Sequence, residues 1–209
     1  GSVRNSGIEF AIDYKTTFSN VFTMSLGYNV TFLQNEVTEV NNGTGFIEGG
    51  SFGVGQPAPS RMQVGKPLGY FYGYKTNGIF QNQAEVDAAP SQIALGAEAQ
   101  AGDIRYVDMN NDGVINTSDR TDIGSPIAAS TMGFNMQFGY KNFDFVTYLF
   151  ASIGNDMVRN YERSLTDVNR LDYVLDRWTG EGTSNSAPRV TTSATSNNVF
   201  SDYFVEDAS

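Results

Sequence analysis

Neither cysteine nor histidine occurs anywhere in the 209 residues. Their absence removes disulfide frameworks, thiol nucleophiles, the common zinc sites and every histidine-based triad. Positive charge is scarce too: 13 Lys plus Arg stand against 23 Asp plus Glu, a formal charge of −10. Nucleic acid, whose phosphates require a basic footprint, is therefore an ill-suited partner, while bound cations and a solvated surface both suit so acidic a chain. Long apolar runs are also missing. No stretch approaches the ~18 consecutive apolar residues of a transmembrane helix, and no signal peptide is visible. This excludes helical spanning only, because a membrane β-strand needs just about 9–11 residues of alternating character.

Alternation with a period of two is what the chain has in abundance. In "IEFAIDYK", Ile8, Phe10, Ile12 and Tyr14 point one way and Glu9, Ala11, Asp13 and Lys15 the other. In "FTMSLGYNVTF", Phe22, Met24, Leu26, Tyr28, Val30 and Phe32 oppose Thr23, Ser25, Gly27, Asn29 and Thr31. "MGFNMQFGYK" sets Met132, Phe134, Met136, Phe138 and Tyr140 against small or polar residues, and "FDFVTYLFAS" follows with apolar residues on both faces. The spacing predicts strands near 8–18, 21–33, 131–141 and 143–153. The first pair is joined by a tight turn around "FSN", Phe18 to Asn20, and the second by Lys141 and Asn142.

Between the pairs lies a connection near 34–130, far longer than compact domains use, and another polar stretch near 154–209 follows the fourth strand. Short turns at one end and long loops at the other are the pattern of an outer-membrane barrel. One set of faces holds Gly, Ser, Thr, Asn and Gln, suited to a hydrated lumen. The other holds long apolar and aromatic side chains, suited to lipid. The fold class expected is all-β, a segment of a transmembrane antiparallel β-barrel with long extracellular loops carrying short helices. A soluble antiparallel sandwich, which also alternates apolar-in and polar-out, is the competing architecture. Its functional counterpart is a secreted, calcium-stabilised carbohydrate-binding or adhesive β-domain.

Two loop segments read as short helices. Asn82 with Glu85 three residues later makes a capping-box start. In "TDVNRLDYVLDRW", Val168, Leu171, Val174 (or Leu175) and Trp178 fall near helical spacing before a Gly stop.

"DMNNDGVINTSD", Asp108 to Asp119, has the register of a calcium loop. A hard divalent cation takes six to eight oxygen ligands, which a twelve-residue loop supplies from alternate positions around a central Gly. Asp108, Asn110 and Asp112 occupy the first, third and fifth places and Gly113 the sixth. The Val114 carbonyl, the Asn116 side chain and the closing Asp119 complete the ligand set, with Ca2+ as the expected structural ion. Asp at the last place is shorter than the Glu of an EF-hand, and the extended "DIRYVD" ahead of the loop argues against a sensor. An Asp/Asn/Gly turn that binds nothing is the alternative.

"GYFYGYKTNGIF" gathers Tyr70, Phe71, Tyr72 and Tyr74, which, with Trp178, are candidates for substrate or partner contact. Equally, these rings can cover the loop's own small core. No catalytic constellation is recognisable, and the chain does not read as an enzyme.

Several of these fragments, taken in order, resemble the SusC/RagA family of TonB-linked outer-membrane transporters: "VRNSGIEFAIDY", "GKPLGYFYGYKTNGIFQNQAEVDA", "GDIRYVDMNNDGVINTSDRTDIGSP", "GFNMQFGYKNFDF", "GNDM", "RWTGEGTSNSAPRV" and "NNVFSDYFVEDAS". The resemblance implies a large barrel with an N-terminal plug, in the outer membrane of a Gram-negative, Bacteroidota-like bacterium. It further implies a SusD-like surface lipoprotein as lid, energy through TonB at the plug, and oligosaccharide or peptide substrates. On this resemblance residues 1–209 are part of the C-terminal half of the barrel, with the plug absent.

Overall fold

The computed structural model describes residues 1–18, 21–53, 57–160 and 171–209. In chain order its strands are β1 (Ser2–Phe18), β2 (Phe22–Glu39), β3 (Phe46–Glu48), β4 (Ser60–Gln63), β5 (Tyr70–Gly73) and β6 (Thr76–Ile79). A short helix α1 (Gln83–Ala88) precedes β7 (Ile104–Tyr106), β8 (Thr121–Gly124), β9 (Ser130–Tyr140), β10 (Phe143–Ile153), β11 (Asp156–Val158) and β12 (Val205–Asp207). Its regular structure is thus mostly strand. No helix among the described residues is long and apolar enough to cross a membrane.

Four long strands make one open antiparallel sheet in the order β1-β2-β9-β10. Alternation sets its register: Ile12 lies opposite Tyr28, Tyr28 opposite Phe134, and Phe134 opposite Leu149, so one apolar row crosses all four strands. Among the described residues no second layer covers that face. Ile8 is 73 % and Phe143 79 % exposed, values at odds with a sandwich interior. On β2 and β9 the other face is built from small polar residues fitted to glycine gaps, Asp13 and Asn135 converging over Gly27 and Asn29 lying over Gly133, whereas β10 brings Val146, Tyr148 and Phe150 to it. Among the described residues the sheet has two free edges and does not close on itself.

β2 continues through Gln34–Glu39, a stretch the sequence places in the loop, and β1 starts at Ser2 rather than near residue 8. β9 begins opposite Phe32; beyond it β2 is flanked by loop backbone, with Val37 N donating to Lys66 O and Gly65 N to Val37 O, each at 2.9 Å. Its cross-strand pairs change in character accordingly. Arg4 pairs Glu36 at 2.5 Å, Asn35 donates to Asn5 at 2.6 Å and Ser2 to Glu39 at 3.3 Å. Charged and amide pairs replace aromatic ones as the ribbon leaves the apolar band.

The packed core sits away from the large sheet, where the two long connections fold together. Strands β3-β4-β5-β8 form a second sheet, and β6-β7 and β11-β12 form two-stranded ribbons. One cluster holds Tyr74, Ile104, Tyr106, Ile115 and Val199; another holds Phe52, Phe71, Phe200 and Phe204. Both draw on residues from either side of β9-β10, so the two loops make one unit.

Asn82 caps α1 as expected, its side chain accepting from Glu85 N at 3.1 Å, while Glu85 reaches back to Gln81 N at 3.0 Å. Of the second expected helix only Leu171–Trp178 is described. Thr166 to Arg170 lie outside the described residues, as do Ser19 and Asn20 of the first turn. Beyond them only a 3₁₀ turn, Asp172–Asp176, forms, and Arg177 is extended. Trp178 N donates to Ala187 O at 2.8 Å, which takes the donor a continuing helix would need.

Candidate functional site

The twelve-residue loop is closed by its own side chains. Asp108 accepts from three backbone donors: Asn111 N at 2.7 Å, Asp112 N at 3.3 Å and Gly113 N at 2.8 Å. Asn111 (φ 59) and Gly113 (φ 85) adopt left-handed conformations, which turn those N–H groups inward; Gly accepts this without a Cβ penalty. Burial tends to raise the Asp108 carboxyl, but N–H groups of Gly113, Asn111, Asp112 and Asn110 together hold it below the usual aspartate range. Asn110 Nδ2 lies 2.9 Å from Asp112 Oδ2, so the first, third and fifth side chains gather on one side of the loop.

The later positions are used differently. Asn116 and Asp119 form a capping box: Asn116 Oδ1 accepts from Ser118 N, and Asp119 Oδ2 accepts from Asn116 N at 2.8 Å. Asp119 Oδ1 accepts from Met109 N at 2.9 Å, tying the end of the loop to its start, and the residue is fully buried. The Val114 carbonyl accepts from Asn116 Nδ2 at 3.3 Å. Among the described residues no group of three or more acidic side chains converges into a metal cage. The oxygens of Asp108, Asn110 and Asp112 suit a hard cation in type. With Asp119 turned to a capping role, two anionic donors remain on that side, which places any such site at the weak end of the range, on the order of 10⁻⁴–10⁻³ M.

Ile115 anchors the loop. It is fully buried, and its N donates to Ser91 O at 2.8 Å while Ser91 N donates to Gly113 O at 3.1 Å. The loop is thereby clamped to the segment after α1.

The aromatic candidates are mostly consumed by packing. Tyr70 is 1 % exposed, Phe71 and Tyr74 are buried, and Tyr70 donates to Gln63 Oε1 at 2.7 Å. Tyr74 meets Tyr106 edge-on at 5.7 Å, and burial pushes both hydroxyls above the ordinary phenol range. Tyr72 is half-buried between two guanidiniums, Arg61 at 3.7 Å and Arg120 at 4.7 Å from its ring centroid. Trp178 is half-buried on the bare backbone of Gly102, where an added Cβ would lie 2.5 Å from its ring.

Sequence reasoning missed the junction of the two loops. Asp103, fully buried, is gripped by Arg189 and receives Asn197 Nδ2 at 2.9 Å. Asp202 accepts from both Thr76 N (3.0 Å) and Thr76 Oγ1 (2.6 Å). These partners lie some ninety or more residues apart, beyond the reach of any local pattern.

No family model matches the chain. It is 28 % identical over 193 residues to TonB-dependent receptor P3 of Formosa agariphila, covering 90 % of this chain and 19 % of that protein. To TonB-dependent receptor P39 of the same organism it is 30 % identical over 194 residues, covering 78 % and 18 %. To TonB-dependent receptor SusC of Bacteroides thetaiotaomicron it is 27 % identical over 214 residues, covering 100 % and 19 %. The chain therefore spans about a fifth of the length of the curated relatives it matches. Among solved structures, the RagAB peptide transporter aligns with a TM-score of 0.68 at 15 % identity, over 99 % of this chain and 21 % of that one. The RagAB peptide importer in the 'closed-closed' state gives 0.69 at 16 %, over 100 % and 22 %. These likenesses establish the fold. Kinship along the whole chain and a shared architecture make it a segment of a TonB-dependent receptor of the SusC/RagA family.

Proposed function

We propose that the chain contributes barrel wall and outer loops to an outer-membrane importer of nutrients, driven through TonB and working with a SusD-like surface lipoprotein. Oligosaccharides are the favoured cargo and peptides the second. One observation carries this reading: an open sheet whose apolar face has no covering layer among the described residues, with both long connections folded into one unit at the same end. Hydrocarbon is the covering such a face calls for, and closure by further strands is what its two free edges call for. The change to charged pairs between Ser2 and Glu39 fits a ribbon emerging on the loop side. A secreted soluble domain is disfavoured by the same exposed face.

In this reading the Asp108–Asp119 loop is a brace, holding a weakly bound calcium ion through Asp108, Asn110 and Asp112. The left-handed Gly113 and the buried Ile115 support it. The role is structural, keeping the outer mouth preorganised for its lipoprotein and cargo. The test of the main reading is uptake by cells carrying the full-length protein or a deletion of its gene. Growth on glycans and peptides unaffected by deletion, or recovery of the protein outside the outer membrane, would overturn it.

A further inference from the structure

Asn42-Gly43, Asn77-Gly78 and Asp112-Gly113 share one reaction chemistry. In each, the glycine backbone nitrogen can attack the side-chain carbonyl carbon of the residue before it and close a five-membered imide, since glycine has no Cβ to hinder the approach. Closure needs the two atoms at about 3–3.5 Å, a separation that a backbone free to rotate reaches and a clamped one does not. By sequence the two asparagines are equivalent. Their surroundings differ.

Asn77-Gly78 lies inside β6 and is held on both sides. The Asn77 carbonyl accepts from Arg105 Nε at 2.9 Å, Ile79 N donates to Asn185 Oδ1 at 3.3 Å, and a Cβ on Gly78 would come within 2.8 Å of that same oxygen. Asp112-Gly113 is exposed, yet its nucleophile is occupied, because Gly113 N donates to Asp108 Oδ2 at 2.8 Å. Asn42-Gly43 has neither restraint. Residues 41–45 turn the chain from β2 into β3 and are exposed throughout. A Cβ on Gly43 would meet nothing within 4 Å, and among the described residues Gly43 N donates to no acceptor. The backbone tie across the turn is a long one, Gly45 N to Asn42 O at 3.4 Å. Asn42 Nδ2 donates to the Phe46 carbonyl, which Thr44 Oγ1 also reaches at 2.9 Å, so that carbonyl stays paired when the amide nitrogen leaves.

From this contrast we infer that Asn42 is a site of spontaneous modification, converting without an enzyme to aspartate and isoaspartate while the fold preserves Asn77. Gly43 N gives its proton to solvent and bonds to Asn42 Cγ; the Cγ–Nδ2 bond breaks and ammonia leaves. Water then opens the imide at either carbonyl, giving aspartate or, with the side-chain carbon drawn into the backbone, isoaspartate. Each event adds one negative charge to the turn, so the turn records the age of the folded protein. The inference is independent of the import reading.

The test ages the purified full-length protein in detergent at neutral and mildly alkaline pH. Trypsin, cutting after Lys15, Arg61, Lys75 and Arg105, places the two asparagines in separate peptides, 16–61 and 76–105. Mass spectrometry should show the first exchanging an amide for an acid about tenfold or more faster than the second, and faster still at the higher pH. Fragmentation should place the change at residue 42 and separate isoaspartate from aspartate. Ageing in guanidinium should erase most of the difference between the peptides. Gly43→Ala, which the open space and the absence of a left-handed φ let the fold accept, should slow the reaction about tenfold or more. Equal rates in the folded protein, a difference that persists in guanidinium, or a rate that Gly43→Ala leaves unchanged overturns the proposal. So does a glycan found on Asn42, because Asn42-Gly43-Thr44 also fits the acceptor pattern for that modification.

Discussion

Arg189, from the second long connection, grips the buried carboxylate of Asp103, from the first, with two parallel bonds: Nε to Oδ1 at 2.7 Å and Nη2 to Oδ2 at 3.1 Å. Asp103 is 0 % and the Arg189 side chain 16 % exposed, so neither can turn to water when the other is removed. Arg189→Ala is therefore expected to cost the loop unit about 3–5 kcal/mol, the range for breaking a buried pair. Asp103→Asn keeps the shape and leaves the guanidinium unneutralised, with a loss of the same order. Limited proteolysis of the full-length protein checks this. Cleavage should appear in both connections at once, and cleavage in one alone would show that the two do not fold as a unit.

Gly102, next to that aspartate, supplies the seat for Trp178. Its φ of 88 is left-handed, and an added Cβ would meet the indole at 2.5 Å and Arg189 Cβ at 2.9 Å. Gly102→Ala should thus pay backbone strain of roughly 1–3 kcal/mol and displace the ring as well. Hydrogen exchange reports it at two amides, Arg189 N, which donates to Gly102 O, and Trp178 N, which donates to Ala187 O. Unchanged protection at both would mean that the ring is not held by this glycine.

Calcium bracing and acid sensitivity can be separated at the twelve-residue loop. Millimolar calcium is expected to slow exchange across residues 108–119, read best at Ile115 N where it donates to Ser91 O. Chelation should reverse the effect, and Asp112→Asn should blunt it. No change on chelation would reject the bracing role. Asp108 gives the pH dependence. Burial raises its pKa, backbone N–H donors lower it further than burial raises it, and the net folded value lies below the ordinary one. Its contribution is accordingly complete above the unfolded pKa of about 3.9 and is lost as pH falls through the lower folded value. Protection in the loop, corrected for the intrinsic pH dependence of amide exchange, should fall as pH drops through that window, and a fall between pH 5 and 7 would point to another group.

Much of this architecture is legible in local pattern because the sheet is governed by it. Tyr28, Phe134 and Leu149 fall on one row since each strand repeats every two residues, and a one-residue slip would bury every polar partner. Asn82 and Glu85 are likewise readable, because a cap is made within one turn. The loop unit is not. Tyr70, Phe71 and Tyr74 carry the same letters whether they face a ligand or a core, and only partners such as Phe200 and Val199, far along the chain, decide it. Trp178 fits helical spacing in sequence, yet its backbone donor goes to Ala187. Asp119 falls in the last register place of a calcium loop, yet it also sits three residues after Asn116, which is capping-box spacing. In the fold the buried cap is the role its carboxylate fills.

The two faces of the long sheet provide a test that does not depend on cargo. Leu149 lies near the middle of β10 on the apolar face, opposite Phe134, and is 61 % exposed, with no covering layer among the described residues. Gln137, on β9, occupies the small-polar face between Ser25 and Val146. If hydrocarbon covers the first face and a hydrated lumen the second, Leu149→Arg should destabilise the assembled barrel by roughly 2–4 kcal/mol and Gln137→Arg by far less. Heat-modifiable migration of the full-length protein extracted from outer membranes measures the assembled fraction, and denaturant titration in detergent measures the difference. Equal and severe losses at both positions would mean that protein packs on both faces. Indifference at both would mean that neither face is buried, and the membrane assignment would fail.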